Sequence, residues 1–198
     1  MNLEKYQQYS RIARGLEKAD LVLKDARIVN VFTEEIIRGD IAIQDGIIAG
    51  IGSFHGKEER DLAGRYVCPG FIDSHLHLES TLVTPAELVT AASRHGTTTF
   101  IVDPHESANV SGLAGIDYIL DQTEDVKANV YVMMPSCVPA TAIDDNGCTL
   151  TAEDMVPYLH NSRILGLGEV MDSISVVQGE KSMHDKLELF EGRIRDGH

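Results

Sequence analysis

Hydrophobic and polar positions change rhythm twice along these 198 residues. Residues 1 to about 17 read as a short polar helix. From Ala19 to about Cys68 short β-type runs follow, broken by turn residues: Leu21–Val31, Asp40–Gln44 and Ile47–Ile51. Asp45-Gly46 between the last two is a dipeptide that tolerates the positive φ angles of a two-residue hairpin turn. The pattern predicts a small all-β module, closed by Pro69-Gly70.

Beyond Gly70 strand and helix patterns alternate. Phe71-Ile72 leads an apolar β-type segment, and Thr97–Val102, rich in β-branched residues, reads as a buried strand. Further strands are predicted over Asn129–Met134, Arg163–Gly168 and Arg193–His198. Helices are predicted over Pro85–His95, Leu113–Thr123, Thr151–His160 and Met183–Phe190, the first with Thr84 as cap and Pro85 in its first turn. Polar residues at the strand ends recur steadily: His75 to Asp103 is 28 residues, Asp103 to Ser136 is 33, Ser136 to Glu169 is 33 and Glu169 to His198 is 29. A βα unit needs about 30 residues. Repeated units with chemistry at each strand's C-terminal end predict an α/β fold, the start of a TIM-like (β/α)8 barrel with its active site on that face. An open doubly wound sheet is the alternative, but no glycine-rich phosphate loop follows the first strand.

Residues 1–68 are therefore expected to form a helix and a small, composite β-sandwich, and residues 69–198 the first half of a barrel. A complete barrel takes about 250 residues. The chain is accordingly expected to be the amino-terminal part of a longer protein, or a truncated product ending at strand five. Alone it is expected to fold poorly, because an open half-barrel exposes strand edges and apolar surface.

Charge narrows the partners. With 17 Lys+Arg against 31 Asp+Glu, the net charge of −14 argues against nucleic acid and acidic membrane surfaces. A small neutral substrate remains open. No apolar stretch approaches the ~18 residues of a membrane span, and the first residues lack the basic and apolar regions of a signal peptide. Cys68, Cys137 and Cys148 are odd in number and form no CxxC pair, so a reduced, cytoplasmic protein is expected.

The chemistry starts at His75-Leu76-His77. Residues i and i+2 of a strand share a face, so two imidazoles project together and can hold a divalent metal. Glu169 ends a run with two glycines, and its carboxylate at the barrel mouth can bridge two metal ions. His198 occupies the equivalent place on strand five, as a second-metal ligand. Asp103-Pro-His-Glu106 packs three ionisable groups after the second strand. His105 or Glu106 is a candidate for metal or substrate contact, against a solvated loop. Asp73, Glu79 and Asp103 are candidates to orient the ligands, with Ser80 beside them. Cys137 reads as a buried structural thiol, and His55, His95, His160 and His184 as surface or core residues.

Pro69-Gly-Phe-Ile-Asp-Ser-His-Leu-His-Leu-Glu-Ser80 resembles the metal-binding signature of the amidohydrolase superfamily. His95-Gly-Thr-Thr-Thr99, Asp103-Pro-His-Glu106, Ala108-Asn-Val110, Pro135–Ala140, Gly166–Met171 and Asp196-Gly-His198 together are similar to its adenine deaminase branch. The resemblance covers essentially the whole chain. It implies hydrolysis of adenine to hypoxanthine and ammonia at a binuclear manganese or iron centre, with zinc also suited to these ligands. Hydroxide generated at the metal would attack C6. His75 and His77 would bind one metal, Glu169 would bridge in place of the carboxylated lysine of many relatives, and His198 would bind the other. The proton-shuttling Asp of the family, on its eighth strand, would lie outside this chain, so 198 residues alone are expected to be inactive. A homo-oligomer is expected for the full-length protein. Two alternatives stay open: an amidohydrolase acting on a cyclic amide or an N-acetyl sugar, or a non-catalytic half-barrel that needs a partner chain.

Overall fold

A computed structural model describes residues 2–141 and 143–197, which divide after Pro69 into two compact units. His198 lies outside the described residues.

In the first unit α1 (Leu3–Ala13) is capped by Asn2, whose side chain accepts the Lys5 N–H at 3.0 Å. Five strands follow: β1 (Ala19–Asn30), β2 (Glu35–Gln44), β3 (Ile47–Gly52), β4 (Gly56–Asp61) and β5 (Tyr66–Val67). They form one mixed sheet, order β3-β2-β1-β4, with β5 also on β1. β2 and β3 pair at Gln44 and Ile47, leaving Asp45 and Gly46 as the turn, with φ of 50° and 75°. That is the geometry of a type I′ hairpin. A bulge in β1 between Leu23 and Ala26, with Asp25 at φ 52°, shifts the side-chain parity. Leu23, Ala26 and Ile28 thereby gather with Ile41, while Val22 and Ala42 pack with Ile12 of α1. The expected sandwich is represented among the described residues by this one sheet. β4 escaped the apolar pattern because its exposed residues, Lys57-Glu-Glu-Arg-Asp61, are all charged.

The second unit is a parallel sheet of β6 (Phe71–Leu76), β7 (Thr97–Val102), β8 (Asn129–Met134), β9 (Ile164–Val170) and β10 (Ile194–Gly197). Among the described residues its order is β10-β9-β8-β7-β6, the sequential order of an opening βα barrel. Its helices are α2 (Pro85–Ser93), α3 (His105–Ser111), α4 (Leu113–Gln122), α5 (Ala152–Met155), α6 (Ser173–Gln178) and α7 (Lys181–Leu189). Phe100, Val102, Val132, Met134 and Leu167 of the strands bury against Val89, Ile116, Ile119, Met155 and Phe190. β6 and β10 are the end strands, and Phe71 and Ile72 on β6 are 61% and 64% exposed. Among the described residues no helix is long and apolar enough to cross a membrane.

Further elements differ from the sequence expectation. The helix expected over Thr151–His160 is α5 followed by a 3-10 turn over Val156–His160, since Pro157 has no N–H to donate. Of Asp103-Pro-His-Glu106 only the first two residues are a connection: His105 and Glu106 open α3, whose run His-Glu-Ser-Ala-Asn-Val-Ser carries too little apolar periodicity to announce a helix. β9 runs on to Val170, so Glu169 sits within a strand and not after one.

Gly166 pairs with Ile194 across β9 and β10. A Cβ there would lie 2.7 Å from the Ile194 carbonyl carbon, backbone against backbone with nothing free to rotate away. Gly166→Ala should cost about 1–3 kcal/mol. For a chain of this size that lowers the thermal midpoint by roughly 2–4 °C per kcal/mol; an unchanged midpoint would show that β10 does not rest on this approach.

Candidate metal centre

His75, in the last turn of pleat of β6, and His77 just beyond it bring their Nε2 atoms to 3.2 Å. Their outer nitrogens set the tautomers. His77 Nδ1 lies 2.8 Å from the Asp103 carbonyl oxygen, which only accepts. Nδ1 therefore carries the hydrogen, and the Nε2 lone pair faces inward. His75 Nδ1 lies 3.1 Å from Asp196 Oδ2 on β10, and its Nε2 lies 2.6 Å from Glu169 Oε1. That oxygen is also 3.7 Å from His77 Nε2.

The second oxygen of Glu169 looks elsewhere. Oε2 stands 3.6 Å from His105 Nδ1, which in turn stands 3.6 Å from Asp103 Oδ1. Both distances exceed a hydrogen bond. Asp103 Oδ1 and His105 Nδ1 are buried and have no hydrogen-bond partner among the described residues. Two groups of donors result, His75 with His77 and Glu169, and Asp103 with His105 and Glu169, each with its ligand atoms within 4.8 Å of one another. Glu169 belongs to both.

Converging lone pairs and carboxylate oxygens repel unless positive charge lies between them. The carboxylates favour the protonated imidazole: hydrogen bonding to Asp196, reinforced by Glu169 and Asp103, raises the His75 pKa above its ordinary value. The Asp103 carboxylate does the same for His105. A divalent ion supplies the charge more fully, and mixed imidazole and carboxylate donors suit Zn, Mn or Fe. The orphaned atoms and the donor set both fit a divalent metal.

The backbone of Glu169, whose residue is 7% exposed, is held on both sides. Asp103 Oδ2 accepts its N–H at 2.8 Å, reaching from the end of β7 past the position of β8. The Ser136 hydroxyl donates to its carbonyl. Gly168 makes the first contact possible, because a Cβ there would lie 2.7 Å from Asp103 Cγ and nearer still to Oδ2.

The remaining sequence candidates take supporting places. Asp73 Oδ1 accepts the His75 N–H at 3.4 Å. Glu79 Oε1 accepts the Ser107 N–H at 3.1 Å, capping α3 where Pro104 offers no side-chain acceptor. Glu106 accepts from the Ser80 hydroxyl and joins neither donor group. Cys137 is buried, and its Sγ accepts the Met171 N–H at 3.3 Å. His55, His95, His160 and His184 stand in neither group, and His198, named as a ligand of the second metal, lies outside the described residues. Sequence reasoning gave Asp196 no role of its own; its one signal was its place in Asp196-Gly-His198.

A parallel βα half-barrel with a His-x-His pair and a shared carboxylate at its strand ends has the form of the opening half of a (β/α)8 barrel with a candidate metal site. The amidohydrolase family model matches residues 66–191, and the chain belongs to that family. Among curated relatives, an adenine deaminase of Desulfitobacterium hafniense is 57% identical over 198 residues, 100% of this chain and 35% of the relative. Adenine deaminase 2 of Carboxydothermus hydrogenoformans is 49% identical over 94% of this chain and 33% of its own length. An adenine deaminase of Geobacillus kaustophilus is 49% identical over 91% and 32%. The chain thus spans about a third of the length of the curated relatives it matches.

Two outcomes follow from this geometry. Gly168→Ala should push the Asp103 carboxylate off the Glu169 N–H and weaken divalent-metal binding by about 10–100-fold, the range for partners that orient ligands; unaltered Mn2+ affinity in a chelator competition would contradict that. The second concerns pH. A group whose pKa is raised by folding contributes stability that is present below its unfolded value and lost as pH rises through the folded one. With His75 and His105 both raised above 6.5, the chelator-treated protein should lose thermal stability as pH climbs from that value. A midpoint that rises across the same window would disprove the charge assignment.

Proposed function

We propose that this chain supplies the metal centre of a hydrolase that converts adenine and water to hypoxanthine and ammonia. The observation that carries the reading is Glu169, whose two oxygens face separate donor groups, in a chain whose relatives are named adenine deaminases. In this reading His75 and His77 would hold one ion, Glu169 would be shared with a second, and His198 would be among the second ion's ligands. Manganese or iron is the proposed pair, with zinc as a third metal that the same donors accept.

When bound, such ions supply Lewis acidity and lower the pKa of water far enough to give a nucleophile near neutral pH. The residues of this chain prepare the centre. The Asp103 carbonyl fixes His77 in the tautomer that offers Nε2, and Asp196 does so for His75. Asp103 and Ser136 fix the backbone from which the Glu169 carboxylate projects. A small neutral purine suits a chain of net charge −14 better than any polyanion.

The test uses the full polypeptide that carries these residues, loaded with Mn2+ and given adenine. Stoichiometric ammonia and hypoxanthine are expected. His77→Ala should lower turnover by at least the 10–100-fold that loss of a ligand's partner costs. Release of acetate from an N-acetyl sugar, or opening of a cyclic amide, with no ammonia from adenine, would replace this reading by another amidohydrolase activity.

A further inference from the structure

Lys186 on α7 is buried to 6% exposure, and its ammonium donates to the Ser136 carbonyl at 2.7 Å. Burial without a paired carboxylate pushes its pKa below the usual lysine range. Cys137 and, after it, Asp154 offset its charge in part, and the Asp154 carboxylate is taken up by the N–H and hydroxyl of Thr151, both at 2.8 Å. Taking an ammonium out of water is unfavourable, and an apolar side chain would fill the same space without that cost. Here the charge is directed at one backbone carbonyl.

That carbonyl belongs to the residue that holds Glu169. The paired positions of β8 and β9 end at Met134 and Leu167. Two residues further on, Ser136, 1% exposed, replaces the ladder by donating its hydroxyl to the Glu169 carbonyl. Its neighbour Cys137 accepts the N–H of Met171. Consecutive side chains at the end of β8 thus dock the end of β9 on both sides of the bridging carboxylate. The ammonium fixes the peptide from which they project.

We propose that Lys186 is a positioning residue that acts through Ser136 on the metal-bridging carboxylate of Glu169. This rests on the assignment of Glu169 as a metal ligand. The test is a double-mutant cycle on Mn2+ affinity, measured by chelator competition in the full polypeptide, with Ser136→Ala, Lys186→Met and the pair. Each single variant should weaken Mn2+ binding about 10–100-fold. The pair should fall no further than Ser136→Ala alone, since Lys186 works through that residue. Ser136→Thr, which keeps the hydroxyl, should restore affinity. The proposal fails if Lys186→Met lowers the thermal midpoint but leaves Mn2+ affinity within twofold, or if the two losses multiply. Should Lys186→Met not fold, Lys186→Gln enters the same cycle under the same criteria. A parent protein that binds no Mn2+ overturns this proposal and the hydrolase reading together. One that binds Mn2+ but releases no ammonia from adenine overturns the substrate alone, and the cycle still decides the role of Lys186.

Discussion

The hydrogen bond from the Glu169 N–H to Asp103 Oδ2 is the interaction on which the centre depends. A buried N–H without a partner costs about 1–3 kcal/mol, and a carboxylate acceptor makes a shorter, stronger bond than a neutral one. Asp103 is 3% exposed, and it does more than accept this bond. Its own N–H continues the β6–β7 ladder by donating to the Leu76 carbonyl at 3.0 Å. Its carbonyl orients His77, and its free Oδ1 faces His105. One side chain and its peptide groups therefore tie the ends of β6, β7 and β9 into a single frame. The bare backbone of Gly168 is the space through which that frame closes.

The same frame explains the charge of the site. Glu169 and Asp103, both buried, bring their carboxylates toward the inward lone pair of half-buried His77. Such a group of acceptors is stable only around positive charge. The imidazoles take protons to provide it, which is why the pKa of His75 and of His105 rises. Metal ions and protons thus compete for the same atoms, and metal binding releases protons.

Much of this was legible in the sequence. The 28 to 33-residue spacing of polar strand ends located the barrel, and the strands Thr97–Val102 and Asn129–Met134 carry the bounds that β-branched and apolar runs predict. The approach of His75 to His77 followed from i, i+2 alternation, although the strand ends at Leu76 and His77 lies just beyond it. The short helices α3 and α6 did not, because seven and six residues hold too few apolar positions to show a period. Asp196 meets His75 across 121 residues, and Lys186 meets Ser136 across 50. Neither contact leaves a local pattern, since it arises only once the sheet has brought separate strand ends together.

The C-terminal ends of parallel barrel strands form the face where chemistry happens. Their ladders stop there: the paired positions end at Leu76 with Val102 and at Met134 with Leu167. Backbone groups past those points still need partners, because they are buried. Side chains supply them. Asp103 takes the N–H of Glu169 and Ser136 its carbonyl, while the N–H of half-buried Met171 is shared between the Glu169 carbonyl at 3.1 Å and Cys137 Sγ at 3.3 Å. The regular recurrence of polar residues along the chain therefore has two physical origins on one face. The proposed ligands stand at the ends of β6 and β9; at β7 and β8 Asp103 and Ser136 complete the backbone around Glu169, and Asp103 also stands in the second donor group. The periodicity that marks the barrel in the sequence records both demands, and only the folded geometry separates them.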